Sequence, residues 1–250
     1  MQDNLLAPTL SMARLPRFVL PGYPQHVIQR GHNRERILYD EEDYWFMWEK
    51  LGAAAEKFDC ELHAYVLMPN HFHLLLTPHT DNGVGKLMQY VGRYYVQHFN
   101  FRYARSGTLW EGRYRATLLD PKDYLLAVSH YIEANPVRAG LVDDNAEYDW
   151  SSYGANALGA DDALVTPHRE YLRLGRGAKA RQNAYAKQSR MPEDKARVTR
   201  IRDATNKAWV LGESRFCNTI ESELNRRALP RQRGGDRRSA AYRLARSTNL

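Results

Sequence analysis

The sequence predicts an α+β protein: a four-stranded antiparallel sheet of ferredoxin-like plan with helices on one face, followed by a basic helical C-terminal extension. Three observations carry this prediction. Apolar runs at alternating and at helical spacing succeed one another in the order strand, helix, strand, strand, helix, strand, helix. The second and third strands are separated only by Pro69-Asn70, a tight hairpin connection that forces antiparallel pairing. Positive charge is concentrated late in the chain: residues 173–250 hold 20 Lys and Arg against 7 Asp and Glu, a balance of +13, whereas residues 1–172 hold 16 against 22, or −6.

Residues 1–16 lack any periodic pattern and read as a mobile leader. A first strand spans 23–30, and Gly31-His32-Asn33-Arg34 turns the chain after it. Asp40-Glu41-Glu42-Asp43 supplies the acidic first turn of a helix whose apolar positions continue from Tyr44 to Phe58. Strands over 61–68 and 71–76 form the hairpin, and a long helix over about 86–103 carries Tyr90, Tyr94 and Tyr95. Residues 105–114 form a loop with two glycines, Trp110, Arg105 and Arg113, and a fourth strand covers 114–119. A helix over about 122–134 is closed by Pro136. The aromatics of 147–153 cap the core, and the small residues of 154–162 mark a boundary. Beyond it, the pattern predicts a short helix in 164–174, a flexible joint at 175–179, helices near 193–206 and 214–228, and a basic run at 231–238 leading to a disordered end.

The chemistry centres on His71-Phe72-His73. Alternate strand residues share a face, so both imidazoles lie on one side and Phe72 and Leu74 on the other. One histidine in an apolar strand is more often a hydrogen-bonded core residue; two on one face make a pair of metal ligands that still needs a third donor. Tyr131 and Asn135, four apart, share one face at the end of their helix, where they offer a phenol nucleophile beside an amide oxygen. On the residues alone, a core tyrosine and a helix-capping asparagine are the commoner readings. His26 and His32 stand at no ligand spacing and read as structural residues or DNA contacts, and Glu133 and Glu111 are minor candidates for a base.

The lopsided charge, interleaved with Tyr171, Tyr185, Trp209 and Phe216, favours a nucleic-acid partner. Trp110 suits either stacking on an unpaired base or anchoring its loop to the core. No stretch approaches the apolar length of a membrane span, no secretion signal precedes residue 30, and the two cysteines, Cys60 and Cys217, give neither a disulfide framework nor a zinc cluster. These features predict a cytoplasmic protein without a membrane partner.

Four runs then carry a resemblance. His-Val-Ile-Gln-Arg-Gly at 26–31, His-Ala-Tyr-Val-Leu-Met-Pro-Asn-His-Phe-His-Leu-Leu-Leu at 63–76, Gly-Thr-Leu-Trp-Glu-Gly-Arg-Tyr at 107–114 and Tyr-Ile-Glu-Ala-Asn-Pro-Val-Arg-Ala-Gly at 131–140 together resemble the REP-associated tyrosine transposases of the HUH single-stranded-DNA endonuclease superfamily. The likeness covers about 17–158 and weakens toward 235. It implies an HUH nuclease fold in 17–158 and a basic helical DNA-binding extension in 159–250. It further implies Tyr131 as nucleophile and His71, His73 and Asn135 as ligands of Mg2+ or Mn2+. The implied substrate is single-stranded DNA folded into a REP-type hairpin, cut and rejoined by a monomer through a 5′-phosphotyrosine link. Arg30, Arg93, Arg105, Trp110, Arg113, Arg115, Arg138, Trp209 and Arg215 are the expected DNA contacts. A free phenol, with its pKa near about 10, is ionised to only about one part in a thousand at pH 7, so such a nucleophile needs activation. Two other readings stand beside this one: a catalytically idle hairpin-binding regulator, and a hydrolytic metalloenzyme acting on a small substrate.

Overall fold

The structure is a computed structural model that describes residues 17–230; the predicted leader, the basic run at 231–238 and the chain end lie outside the described residues. Strands β1 (Gln25–Arg30), β2 (Cys60–Met68), β3 (His71–Pro78) and β4 (Arg115–Leu118) form one sheet in the order β2-β3-β1-β4, with every neighbouring pair antiparallel. This is the ferredoxin-like arrangement that the order of elements predicts. It makes β1 and β3 the central pair, with Ile28 opposite His73 and Arg30 opposite His71.

Helices α1 (Glu41–Lys57) and α2 (Gly83–Arg102) cross over one face. Helix α1 starts where Asp40 accepts the Asp43 N–H, a side-chain N-cap followed by three acidic residues in the first turn. Its buried Met47, Leu51 and Ala54 recur at helical spacing and, with Leu87, Val91 and Phe99 of α2, pack on Val27, Leu67, Phe72, Leu74 and Leu76 of the sheet. Each such side chain contributes about 1.5–3 kcal/mol by leaving water.

The opposite face, which carries the histidines, is roofed as well. Helix α3 (Pro121–Glu133) opens on Asp120, which accepts the Lys122 N–H, with Pro121 at its first position. It lays Tyr124, Leu125, Val128 and Ile132 on Ala64, Val66, Met68 and Leu75. Beside it lies α7 (Lys195–Lys207) of the extension, which adds Ile201 and Ala204 to the same cluster. The extension therefore packs directly against the sheet.

Pro136 does not simply end the preceding helix: it sits in the first turn of a short α4 (Asn135–Arg138), where its missing N–H needs no partner. Three further helices follow: α5 (Arg169–Leu172), α6 (Ala178–Ser189) and α8 (Ser214–Leu224). Helix α6 begins inside the stretch expected as a flexible joint. It buries only Tyr185, so no apolar stripe announces it. The Tyr185 hydroxyl, the Ser152 hydroxyl and the Asn156 amide all donate to the buried carboxylate of Glu133, at 2.7, 2.6 and 2.9 Å. Burial raises the Glu133 pKa to about 7 against the pull of these three bonds. Glu133 thus ties the end of α3 to α6 and cannot serve as a base at the histidines.

Candidate active site

The hairpin fixes the two imidazoles. Pro69-Asn70 is held from outside by N–H bonds from Ile37 and Leu38 to the Pro69 carbonyl and from Gly31 to the Asn70 carbonyl. Gly31 has no room for a side chain, since a Cβ there would stand 2.5 Å from the Glu35 carbonyl oxygen and 2.7 Å from Ile37. The Asn70 amide donates to the Arg34 carbonyl at 3.1 Å, which leaves its oxygen toward His71 Nδ1 at 2.6 Å. His71 therefore carries its proton on Nδ1, and its Nε2 is left unprotonated with a free lone pair. The His71 and His73 rings meet edge to face with centroids 5.0 Å apart. Burial first, then the charge of Arg30, lowers the His71 pKa to about 4, and burial with four neighbouring cationic or imidazole groups drives His73 well below the ordinary value. Both rings are neutral at pH 7, the form that binds metals.

Helix α3 brings Tyr131 to the same place. Its ring is edge-on to His73, with centroids 6.0 Å apart, and to His26 at 5.8 Å. The Arg138 guanidinium lies over the phenol ring, 4.3 Å from its centroid, while bonding the Tyr131 carbonyl and pairing with Glu193. Arg138 thus packs on the tyrosine; it was expected among the DNA contacts and is already engaged within the fold. Asn135 donates its amide to the Tyr131 and Ile132 carbonyls at 3.1 and 3.0 Å, capping the end of α3. Its Oδ1 accepts no hydrogen bond among the described residues.

The rival tyrosines of α2 lie on the other side of the sheet. Tyr95 is fully buried and donates to the Ile37 carbonyl, and burial raises its pKa far above the ordinary range. Among the described residues no three His, Cys, Asp or Glu side chains gather as metal ligands.

Arg30, Arg113 and Arg115 line, with Arg34, Glu111 and Asn206, a cavity of about 270 Å³ that no histidine enters but that includes Ile28 and Arg30, the β1 residues opposite His73 and His71. Arg115, opposite Ile28 in the sheet, bonds the Asn206 amide oxygen of α7. The other expected DNA contacts are dispersed. Arg93 is exposed on α2, across the sheet, and Arg105 pairs with Glu35 at 3.7 Å. Trp110 is half-buried beside Phe72 and Tyr95, which makes it an anchor for its loop. Trp209 packs with Leu118 and Val210 at the β4 edge, and Arg215 is exposed on α8.

One residue of the site escaped the sequence reading. His26, expected as a structural residue or DNA contact, is completely buried and bonds His73 Nδ1 through its Nε2 at 2.8 Å, with the rings stacked. Only the register of β1 against β3 reveals this, because the two strands are far apart in the chain.

A half-buried imidazole, a buried one with a tyrosine edge-on to it, and a cavity lined by Arg30, Arg113 and Arg115 are groups suited to phosphoryl transfer. Residues 22–135, a little under half of the chain, match the model of the IS200-like transposases, and that span contains His71, His73, Tyr131 and Asn135. Among solved structures, a REP-associated tyrosine transposase bound to a REP hairpin is similar at 17% identity, covering 63% of this chain and 93% of that one, with a TM-score of 0.49. A candidate transposase from Deinococcus radiodurans R1 is similar at 24% identity, covering 48% of this chain and 96% of that one, with a TM-score of 0.35. No curated protein matches the chain. No helix among the described residues is long and apolar enough to cross a membrane.

Proposed function

We propose that the protein is a metal-dependent single-stranded-DNA endonuclease and transposase that binds REP-type hairpins and cleaves and rejoins DNA through a 5′-phosphotyrosine intermediate. The observation that carries this reading is the placement of Tyr131 against His73, two residues from distant elements meeting within the matched family span.

His71, His73 and Asn135 would suit a divalent cation: two neutral imidazoles and an uncommitted amide oxygen would accept zinc or nickel comfortably, and Mg2+ or Mn2+ is the ion that the resemblance implies. When bound, such a cation supplies Lewis-acid polarisation of the scissile phosphate. The chain's own groups do the rest. Tyr131 Oη attacks phosphorus; the bond to the 3′-oxygen breaks and that oxygen leaves with a proton, while the 5′-phosphate stays on the phenol. One phosphodiester replaces another, so the reverse attack by a 3′-hydroxyl rejoins DNA without a nucleotide cofactor. Arg30, Arg113 and Arg115, which line one cavity, would neutralise neighbouring DNA phosphates. The roofed histidine face limits access of water to the link.

The test uses a 3′-end-labelled single-stranded hairpin incubated with the protein and Mn2+ or Mg2+. A labelled band that survives SDS is the expected result. Hairpin binding with no adduct in either metal supports the idle regulator instead.

A further inference from the structure

We infer that the extension sets the protonation pattern of the active site: Thr205 of α7, acting through His26, holds the His73 proton on Nδ1 and keeps its Nε2 bare toward a cation. His26 and Thr205 are thereby positioning residues. This rests on the proposed role of His73 as a ligand.

The argument follows the direction of each bond. Thr205 Oγ1 lies 2.8 Å from the Ile201 carbonyl oxygen, one turn back in α7. A carbonyl oxygen cannot donate, so the hydroxyl proton is committed there. Thr205 Oγ1 also lies 3.0 Å from His26 Nδ1, and with its own proton spent it can only accept, so His26 donates from Nδ1. His26 is completely buried and both its nitrogens meet neutral groups, so it does not carry a second proton. Its Nε2 is then an acceptor, and the 2.8 Å contact with His73 is a donation from His73 Nδ1–H. The last nitrogen of the chain, His73 Nε2, is left with its lone pair. Without the Thr205 hydroxyl, His26 loses what distinguishes its two nitrogens, and the relay can run in either direction.

His71 reaches the same pattern by a local device, the Asn70 amide. For His73 the device is remote: the sheet supplies two imidazoles, and a helix after residue 190 supplies the hydroxyl that orders them. Partners of this kind typically alter metal affinity about 10–100-fold when removed.

Long-range 15N–1H correlation spectra of the metal-free full chain read the proton position directly. The expected spectrum of the unsubstituted protein shows His73 protonated at Nδ1; a proton on Nε2 overturns the inference. Thr205→Val should mix the two His73 forms and weaken Mn2+ binding, followed by electron paramagnetic resonance, by about 10-fold or more. Thr205→Ser should restore both. Unchanged His73 signals and unchanged Mn2+ affinity in Thr205→Val contradict the relay even if His71→Ala and His73→Ala show that the ligand assignment is right. If the unsubstituted protein binds no Mn2+, the metal reading fails, and the His73 spectrum still decides the relay.

Discussion

The Tyr131 ring stands edge-on to the His73 imidazole, the two planes 77° apart and their centroids separated by 6.0 Å. The relationship depends on α3 crossing the face of the sheet on which β3 places its histidines, so it joins the fold to the chemistry. Tyr131→Phe removes only the hydroxyl proposed as the nucleophile. The expected outcome is complete loss of the covalent adduct with hairpin affinity held within about 3-fold, about 0.6 kcal/mol, as read by gel shift beside the SDS gel.

Tyr95 provides the internal control, since it lies across the sheet and its hydroxyl serves the Ile37 carbonyl. Tyr95→Phe should leave adduct formation intact. It should lower unfolding free energy by about 1–3 kcal/mol, because a buried carbonyl loses its donor, and urea denaturation would register this.

The arginine-lined cavity predicts a salt signature. Removing an arginine that neutralises one DNA phosphate should reduce the slope of log affinity against log salt by about 1. Arg30→Ala and Arg115→Ala should each do so, whereas Arg105→Ala, whose side chain already pairs with Glu35, should not. Equal slopes for all three variants would remove the cavity from the binding surface.

Much of this site was legible in the chain and some was not, for definable reasons. Strand alternation gave the shared face of His71 and His73, and four-residue helical spacing gave Tyr131 with Asn135, because both patterns are local. His26 was hidden because its partner is set by strand register, and Thr205 because nothing in α7 says which face of which sheet it covers. Helix α6 was missed for want of an apolar stripe: its one buried side chain, Tyr185, acts through a hydrogen bond to Glu133. Trp110 remained ambiguous because a loop tryptophan has the same local signature whether it faces solvent or core.

Glu133 predicts a stability effect at a distance from the chemistry. Glu133→Ala would leave the buried Tyr185 hydroxyl without its acceptor, while Ser152 and Asn156 keep the Tyr65 and His63 carbonyls, at a cost of about 1–3 kcal/mol. Chemical denaturation of the variant should show this loss, with Glu133→Gln less affected.

His63 predicts a pH dependence. The buried ring donates from Nδ1 to the Thr166 carbonyl at 2.7 Å and accepts from the Thr77 hydroxyl at 2.8 Å, and burial lowers its pKa from 6.5 to about 4. Between these values the unfolded chain binds the proton and the folded one does not. Stability should therefore be full above pH 6.5 and fall as the pH drops toward 4, by roughly 3 kcal/mol for this group. Denaturation midpoints across that window should flatten in His63→Gln relative to the unsubstituted protein, in which the other buried histidines still act.

The most direct test of the central claim is to locate the covalent bond. Mass spectrometry of the protease-digested, SDS-resistant adduct should place a 5′-phosphonucleotide on the peptide containing Tyr131 and on no other. A nucleotide on Tyr90, Tyr94 or Tyr95, or persistence of the adduct in Tyr131→Phe, would contradict the account.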